Sequence, residues 1–295
     1  MKQLFIAFLS TIFLVGSGKA QPTLITLVNF VAWETDEMNP YAGLTLGTDG
    51  NFYGTTTDGN DNVGTVFRVT SSGAVTTLAT FHYTNGANPF AGLTLGNDGS
   101  FYGTTFNYGS VGTVFQVTTN GNLNTLASFY GTNGANPYGG VTLGNDGSFY
   151  GTTEGGGYNN GSIFRVSTCG EITSLVNFSG TNGSEPTSAL VLGNDGNFYG
   201  TTGQGGASYN GQNVGVGTVF KLVVPPTINT FALSNSVPGA SISGLARSSV
   251  QIQVTSNLLL PWTVLTNLSF SNGAGQFSDP AAPNFSMRFY RVMVQ

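Results

Sequence analysis

The sequence predicts an all-β protein: a four-bladed β-propeller closed by its N-terminal strand, followed by a small C-terminal β-sandwich. Three observations carry this reading. A unit of about fifty residues occurs four times, and a fixed period of that size belongs to solenoids, propellers and arrays. Each unit divides into four short strand-like runs separated by turn signals, with no helical period in the chain. One such run stands ahead of the first unit, and one is missing from the last.

Taken in order, the first twenty residues read as a secretory signal peptide. Lys2 supplies the positive start, Leu4–Val15 the apolar run, and Gly18-Lys19-Ala20 a small-x-small cleavage site. The run is too short to span a bilayer as a helix, which needs roughly twenty apolar residues. The mature chain is therefore expected to be secreted or held at the cell surface, with no membrane insertion. The orphan run LITLVNF follows at Leu24–Phe30.

The repeats then begin. Their core reads GLTLGTDGNFYGTT at Gly43–Thr56, GLTLGNDGSFYGTT at Gly92–Thr105, GVTLGNDGSFYGTT at Gly140–Thr153 and ALVLGNDGNFYGTT at Ala189–Thr202. In the first unit the expected strands are a (Ala42–Gly47), b (Asn51–Thr55), c (Gly64–Thr70) and d (Ala74–Phe81). Asp-Gly and Asn-Gly supply the positive φ angles that tight hairpins need. Small residues on strand a (Ala42-Gly43, Ala91-Gly92, Gly139-Gly140, Ser188-Ala189) suit a crowded axis. The Phe-Tyr pairs of strand b and the Phe of strand c, being apolar on both faces, suit sheets covered on both sides. They read as packing. The orphan d run complements the missing one after Gly217–Val224, and pairing them closes a ring without exposed edges. The rival is half of an eight-bladed ring built by two chains.

The propeller is thus assigned to residues 21–224, a linker to 225–227 and a β module to 228–295. The last segment holds one acid, Asp279, against Arg247, Arg288 and Arg291, and alternation at Val250–Val254 and Phe289–Val294 reads as strand.

The pattern G-A-N-P-x-x-G-L-x-L-G-x-D-G-x-F-Y-G-T-T, followed by G-T-V-F, resembles the GloVer tandem repeat of choice-of-anchor exported bacterial proteins over residues 24–224. That resemblance implies a propeller-like fold and carries no established activity. The last module, through Pro261-Trp262-Thr263, Phe277-Ser278-Asp279-Pro280 and Arg288–Val292, is similar to small bacterial fibronectin III or carbohydrate-binding sandwiches.

Composition narrows the function classes. Removing Lys2 and Lys19 leaves six basic residues against 13 acidic ones. Such a chain lacks the clustered Lys and Arg that nucleic acid or anionic membrane requires. Cys169, the only cysteine, falls in a turn slot and forms no intrachain disulfide. With one His and one Cys, no His-rich metal site can be built, and no cofactor or metal is expected. His82 belongs to no repeated pattern, and no G-x-S-x-G elbow accompanies it. The repeated acids Asp49, Asp98, Asp146 and Asp195 each precede Gly and read as turn formers. Asp58-Gly-Asn60-Asp61-Asn62 departs from a calcium loop at Val63 and Val69. Arg68, Gln116, Arg165 and Lys221 occupy one polar slot on strand c, either bonding neighbouring blades or lining a charged ring.

Strand order sends the b–c and d–a loops to one face, and there the sequence varies. Trp33, Tyr83, Tyr108, Tyr130, Tyr158 and Tyr209 gather on that face and are the candidate ligand-binding residues, their rings suited to sugar C–H surfaces. The resulting expectation is a monomeric, exported, non-enzymatic binding or scaffolding protein whose partner is a polysaccharide or an envelope protein. The alternative is an exported carbohydrate-active enzyme using the loop carboxylates Glu154, Asp58 and Asp61, which show no paired arrangement in sequence.

Overall fold

The computed structural model describes residues 22–30, 39–58, 63–106, 111–156, 160–211, 215–225, 227–234, 237–243, 249–269 and 274–294. The expected signal peptide lies outside them. Almost all regular structure is strand, with one short 3-10 turn at Ala282–Asn284.

Each repeat folds as an antiparallel sheet laid out in chain order. The first holds β1 (Thr45–Leu46), β2 (Phe52–Thr56), β3 (Thr65–Val69) and β4 (Val75–Thr80). The second holds β5 (Thr94–Leu95), β6 (Phe101–Thr105), β7 (Thr113–Val117) and β8 (Leu123–Ser128). In the third are β9 (Thr142–Leu143), β10 (Phe149–Thr153), β11 (Ser162–Val166) and β12 (Ile172–Asn177). The fourth holds β13 (Val191–Leu192), β14 (Phe198–Thr202) and β15 (Thr218–Leu222). The first strand of each unit is shorter than its apolar run suggests. Only two residues pair with the second strand, as Thr45 with Tyr53 and Leu46 with Phe52. The preceding carbonyls are used elsewhere: in the later units they accept hydrogen bonds from the unit before.

Those bonds form the junctions. Thr45 Oγ1 donates to Leu93 O (2.6 Å), Thr94 Oγ1 to Val141 O (2.5 Å) and Thr142 Oγ1 to Leu190 O (2.5 Å). A second set runs from Thr55, Thr104 and Thr152 to the carbonyls of Ala91, Gly139 and Ser188, each at 3.0 Å. Tyr53 stacks on Phe101, and Tyr102 on Phe149, with centroids 4.1 and 3.9 Å apart. Such aromatic pairs add about 0.5–1.5 kcal/mol beyond area burial. Small residues allow the approach: a Cβ on Gly92 would stand 3.2 Å from Gly43 O, and one on Gly140 would stand 3.2 Å from Gly92 O.

Inside each unit the third-strand Phe lies over the glycine of FYGTT. A Cβ on Gly103 or Gly151 would stand 2.5 Å from the Phe115 or Phe164 ring. The repeated Asp is more than a turn former. Asp98 accepts from Ser100 N–H, from the Tyr102 hydroxyl (3.0 Å) and from Gln116 Nε2 (3.0 Å). Asp146 accepts from Tyr150 and Arg165, and Asp195 from Tyr199 and Lys221. The polar slot on the third strand thus bonds within its own unit in the last three units, rather than to a neighbour. Burial, followed by the bond to Asp49, pushes the Tyr53 hydroxyl up to about 12. Burial, followed by Asp98, does the same to Tyr102, also to about 12.

The closed four-bladed ring is not formed among the described residues. Leu24–Phe30 carries no strand assignment, and the fourth sheet stays three-stranded. A Cβ on Gly43 would meet nothing within 4 Å, where its counterparts Gly92 and Gly140 face the preceding unit. The reason is geometric: with the three internal junctions formed as they are, the fourth unit does not reach the first, and Val219 and Thr201, in the slots of the buried Val66 and Thr55, stay exposed.

Beyond the repeats lie β16 (Thr227–Ser234), β17 (Val237–Ser243), β18 (Ser249–Thr255), β19 (Thr263–Ser269), β20 (Ala274–Ser278) and β21 (Phe289–Val294). They form two three-stranded sheets, β16-β17-β20 and β19-β18-β21. Ala240, Ile242 and Phe277 of one meet Val250 and Ile252 of the other in a shared core. Asp279 is fully buried and accepts from Arg288 Nε (2.9 Å) and the Tyr290 hydroxyl (3.1 Å).

Two outcomes follow. Gly103→Ala forces a Cβ into the Phe115 ring and should cost about 1–3 kcal/mol in denaturant unfolding, the usual range for overpacking. Folding keeps Tyr53 and Tyr102 protonated above the ordinary value of 10.0, so the unfolded chain loses those protons first. Stability should hold up to about pH 10 and fall between about 10 and 12. On the acid side, hydrogen bonds hold Asp49, chiefly from Asn51, and Asp195, chiefly from Asn197, below the usual carboxylate value. Stability should therefore be present above about pH 4 and decline below it. Thermal melts across pH 2–12 check both limits.

Candidate functional site

Among the described residues, four other than glycine have positive φ: Asn39, Asn88, Asn136 and Glu185, at 56°, 56°, 57° and 55°. Each precedes proline and opens a unit. Their backbones tie the loops of one face together. Asn136 N–H donates to Val111 O of the second unit, and Asn136 O accepts from Glu154 N–H of the third. Glu185 repeats this between the third and fourth units, donating to Asn160 O and accepting from Gly203 N–H. Asparagine is enriched in left-handed backbone because its short amide bonds locally. Glutamate has no such advantage, so Glu185 is the residue that breaks the repeat at a strained position.

A second departure lies within reach of its charge. Glu154 follows FYGTT where the other units have Thr57, Phe106 and Gly203. Both glutamates are partly buried. Burial first, and the Glu185 charge second, push the Glu154 carboxyl above the usual carboxylate value. Gln204 Nε2 donates to Glu185 Oε2 at 2.5 Å and holds that carboxylate in place. Ser184 and Gln204 exchange backbone bonds of 2.9 and 3.0 Å beneath it. The seam between the third and fourth units therefore carries two glutamates, and the carboxyl of Glu154 is shifted upward by burial and by the charge of Glu185. The charge that bears on Glu154 comes from a d–a loop rather than from another b–c loop. The sequence signal was the Glu-Pro in a slot that reads Asn-Pro three times.

An aromatic row lies on the same face. Phe90 stacks on Tyr138 at 5.0 Å, with Tyr41 (6.0 Å) and Phe106 (5.6 Å) edge-on to Phe90. Tyr41 and Tyr138 remain exposed. These rings open the units directly after Asn-Pro, and Phe106 occupies in the second unit the slot that Glu154 fills in the third. Among the sequence candidates, Tyr83 and Tyr130 project into solvent at 64% and 75% exposure. Tyr209 is half-buried with its ring against Gly180, on the loop that leads to Glu185. Trp33, Tyr108, Tyr158 and the acid Asp61 lie outside the described residues. Asp58 accepts from Asn39 Nδ2 at 2.6 Å, a unit-one counterpart of the Gln204–Glu185 bond built with the roles exchanged. His82 is exposed, and its backbone N–H donates to Asn85 Oδ1. Among the described residues, no three His, Cys, Asp or Glu side chains gather as metal ligands.

A model of the Gloeobacter/Verrucomicrobia repeat matches residues 58–249, about two thirds of the chain. The protein belongs to that repeat family. No curated protein matches it in sequence. Among solved structures it is similar to a gluconolactonase from Xanthomonas campestris at 13% identity, with 69% of this chain and 68% of that one covered and a TM-score of 0.41. A Thermus thermophilus protein assigned as an oxidoreductase (glucose dehydrogenase) gives 13% identity, coverages of 80% and 84%, and a TM-score of 0.40. An exo-β-1,3-galactanase from Phanerochaete chrysosporium gives 9%, 85% and 74%, and 0.39. The expectation of a non-enzymatic binding or scaffolding protein is corrected on this finding, since these neighbours are named as enzymes. Their activities are their own, and what this chain does is argued from its own carboxyl pair.

Removing the charge of Glu185 should relax its neighbour. Glu185→Gln is expected to lower the Glu154 pKa toward the ordinary carboxylate value, read by carbon-13 NMR titration of the glutamate carboxyls.

Proposed function

We propose that the protein is a carbohydrate-active hydrolase working at the seam between its third and fourth units, with Glu154 as proton donor and Glu185 as its carboxylate partner. The observation that supports this most is the bias of Glu154 toward its neutral form by burial and by Glu185. Acid–base hydrolysis of a glycosidic bond needs two carboxyl groups kept in different protonation states, one to protonate the departing oxygen and one to act while ionised. Protonation by Glu154 turns the leaving oxygen into an alcohol. Glu185, positioned by Gln204, serves the opposite side, either by activating water or by attacking carbon itself.

The rest of the face fits this chemistry. Tyr41, Phe90 and Tyr138 offer flat apolar surface for the C–H faces of sugar rings, beside the asparagine amides of the unit-opening loops. A polymer lying along that row leads toward the slot that holds Glu154. Export by the first twenty residues would deliver such an enzyme to polysaccharide outside the cell.

The test is reducing-end release from a panel of soluble and insoluble polysaccharides. Glu154→Gln should lower release at least 100-fold, the scale of a lost general acid, while retention on the same polysaccharide persists. Tyr138→Ala should weaken retention. Release that survives both Glu154→Gln and Glu185→Gln, or no release from any substrate, would overturn the assignment.

A further inference from the structure

The two ends of the repeat array present the two halves of one interface. Within the chain that interface is built three times, from the second strand and third strand of one unit against the opening segment and third strand of the next. Parts that are buried at an internal junction are uncovered at the fourth unit. Val66, Val114 and Ile163 are 0%, 0% and 2% exposed, whereas Val219 in the same slot is 81% exposed. Thr55, Thr104 and Thr152 are buried or nearly so and bonded across the junction, whereas Thr201 is exposed. Gly64, Gly112 and Gly161 lie beneath Pro89, Pro137 and Pro186 of the following unit, with Cβ positions 2.6–2.7 Å from the prolines. Gly217 lies beneath no proline.

The first unit shows the complementary half. Pro40, the counterpart of those three prolines, is exposed, as is Leu44. With Ala42, Phe67, Ile25 and Val28, they line an apolar groove of about 380 Å³. Against its wall the N-terminal segment already sits where the last strand of a preceding unit belongs. Phe30 packs edge-on to Phe67 at 5.3 Å, as Phe81 does to Phe115 (4.9 Å) and Phe129 to Phe164 (5.0 Å). Leu27 O faces the Gly73 turn as Leu78 O faces Gly121 and Leu126 O faces Gly170. The segment thus stands in the place of the fourth strand of a sheet whose other three strands are absent from that place. Among the described residues the fourth unit is a sheet lacking its fourth strand, and no strand pairs with the outer edge of β15.

The chain's own fourth unit does not fill the place, because Gly43 meets nothing within 4 Å. With the three internal junctions formed as they are, a further unit must come from another chain. We propose that two copies of this chain join head to tail, the fourth unit of each docking on the first unit of the other, to complete a ring of eight units. Each Leu24–Phe30 segment then becomes the outer strand of its partner's fourth sheet. The two junctions are identical, so a two-fold axis satisfies both and leaves no open edge. The register follows from the earlier units, in which Val66 lies opposite Ala79 and Ile163 opposite Val176. Val219 falls opposite Val28 of the second copy.

The test uses the purified protein. Light scattering on a sizing column should give the mass of two chains, and Val219→Lys should return it to one. Val219 is exposed in the single chain, so that change leaves the fold of each copy intact, which circular dichroism verifies. In a Cys169→Ser background, Val28→Cys with Val219→Cys should form a disulfide between chains on air oxidation, doubling the mass on a non-reducing gel. A disulfide formed within one chain would mean the ring closes on itself with four units and would overturn the proposal. So would a single-chain mass at all concentrations, or a mass that climbs without limit as concentration rises.

Discussion

The structure depends on the contact between successive units, where threonine hydroxyls of one unit are received by the opening carbonyls of the next. A four-stranded sheet of this size has too little surface to bury alone, and its stability comes from being covered on both faces. The threonine bonds fix the height at which one sheet sits on its neighbour. The Tyr–Phe stacks fill the space between them, and the glycines of strand a allow the backbones to come close. Because the donors lie on second strands and the acceptors on opening segments, each contact has a direction. A stack with a direction always leaves one donor face and one acceptor face at its ends, and that is what the fourth and first units display.

The turn face and the loop face divide the work. On the turn face, the aspartate of each a–b turn collects the strand-b tyrosine and, in the second to fourth units, the long polar residue of strand c. Those bonds close the edges of each sheet without demanding anything of the opposite end. Asp195 and Lys221 form an exposed pair at 2.9 Å, worth little by itself. Its value lies in joining three strands through one carboxylate. The loop face is tied by a single backbone motif, the positive-φ residue before proline, which bonds the unit behind and the far loop of its own unit. Side chains beyond that motif are free to differ, and they do.

Much of this was legible in the sequence, and the exceptions have physical reasons. Strands β2, β3 and β4 and their turns followed from short strand-like runs bounded by Asp-Gly and Ser-Gly, which are local signals. The burial of Tyr53, Tyr102 and Phe115 followed from apolar character on both strand faces. Strand a was over-read because its apolar run continues past the two residues that pair, and the remaining carbonyls turn to a neighbouring unit. The polar slot of Gln116, Arg165 and Lys221 was visible but its partner was not, since the aspartate lies 18 to 26 residues away across a strand. The open ring was hidden for a related reason. An orphan strand and a missing strand count as a match in sequence, whereas the structure must also bring them to one place. Glu185 escaped because its charge bears on Glu154 from a loop of a different kind across a unit boundary.

A repeat protein carries its own control for such a residue. Where a slot keeps one chemistry in every unit, packing or backbone geometry explains it, as with the glycine under Phe67, Phe115, Phe164 and Phe220. Where one unit departs toward a residue that suits the backbone equally well, no function need be invoked. Glu185 departs in the unfavourable direction. It holds a left-handed conformation that asparagine accepts more readily, at a cost on the order of 1–3 kcal/mol for strained positions of this kind. It also brings a second negative charge beside Glu154, which burial already disfavours as an anion. Both effects reduce stability, and neither is returned by a salt bridge, since the partner that holds Glu185 is the neutral amide of Gln204. A side chain that weakens the fold twice at the same seam is what the proposed hydrolysis requires, since that chemistry needs two carboxyl groups kept out of balance.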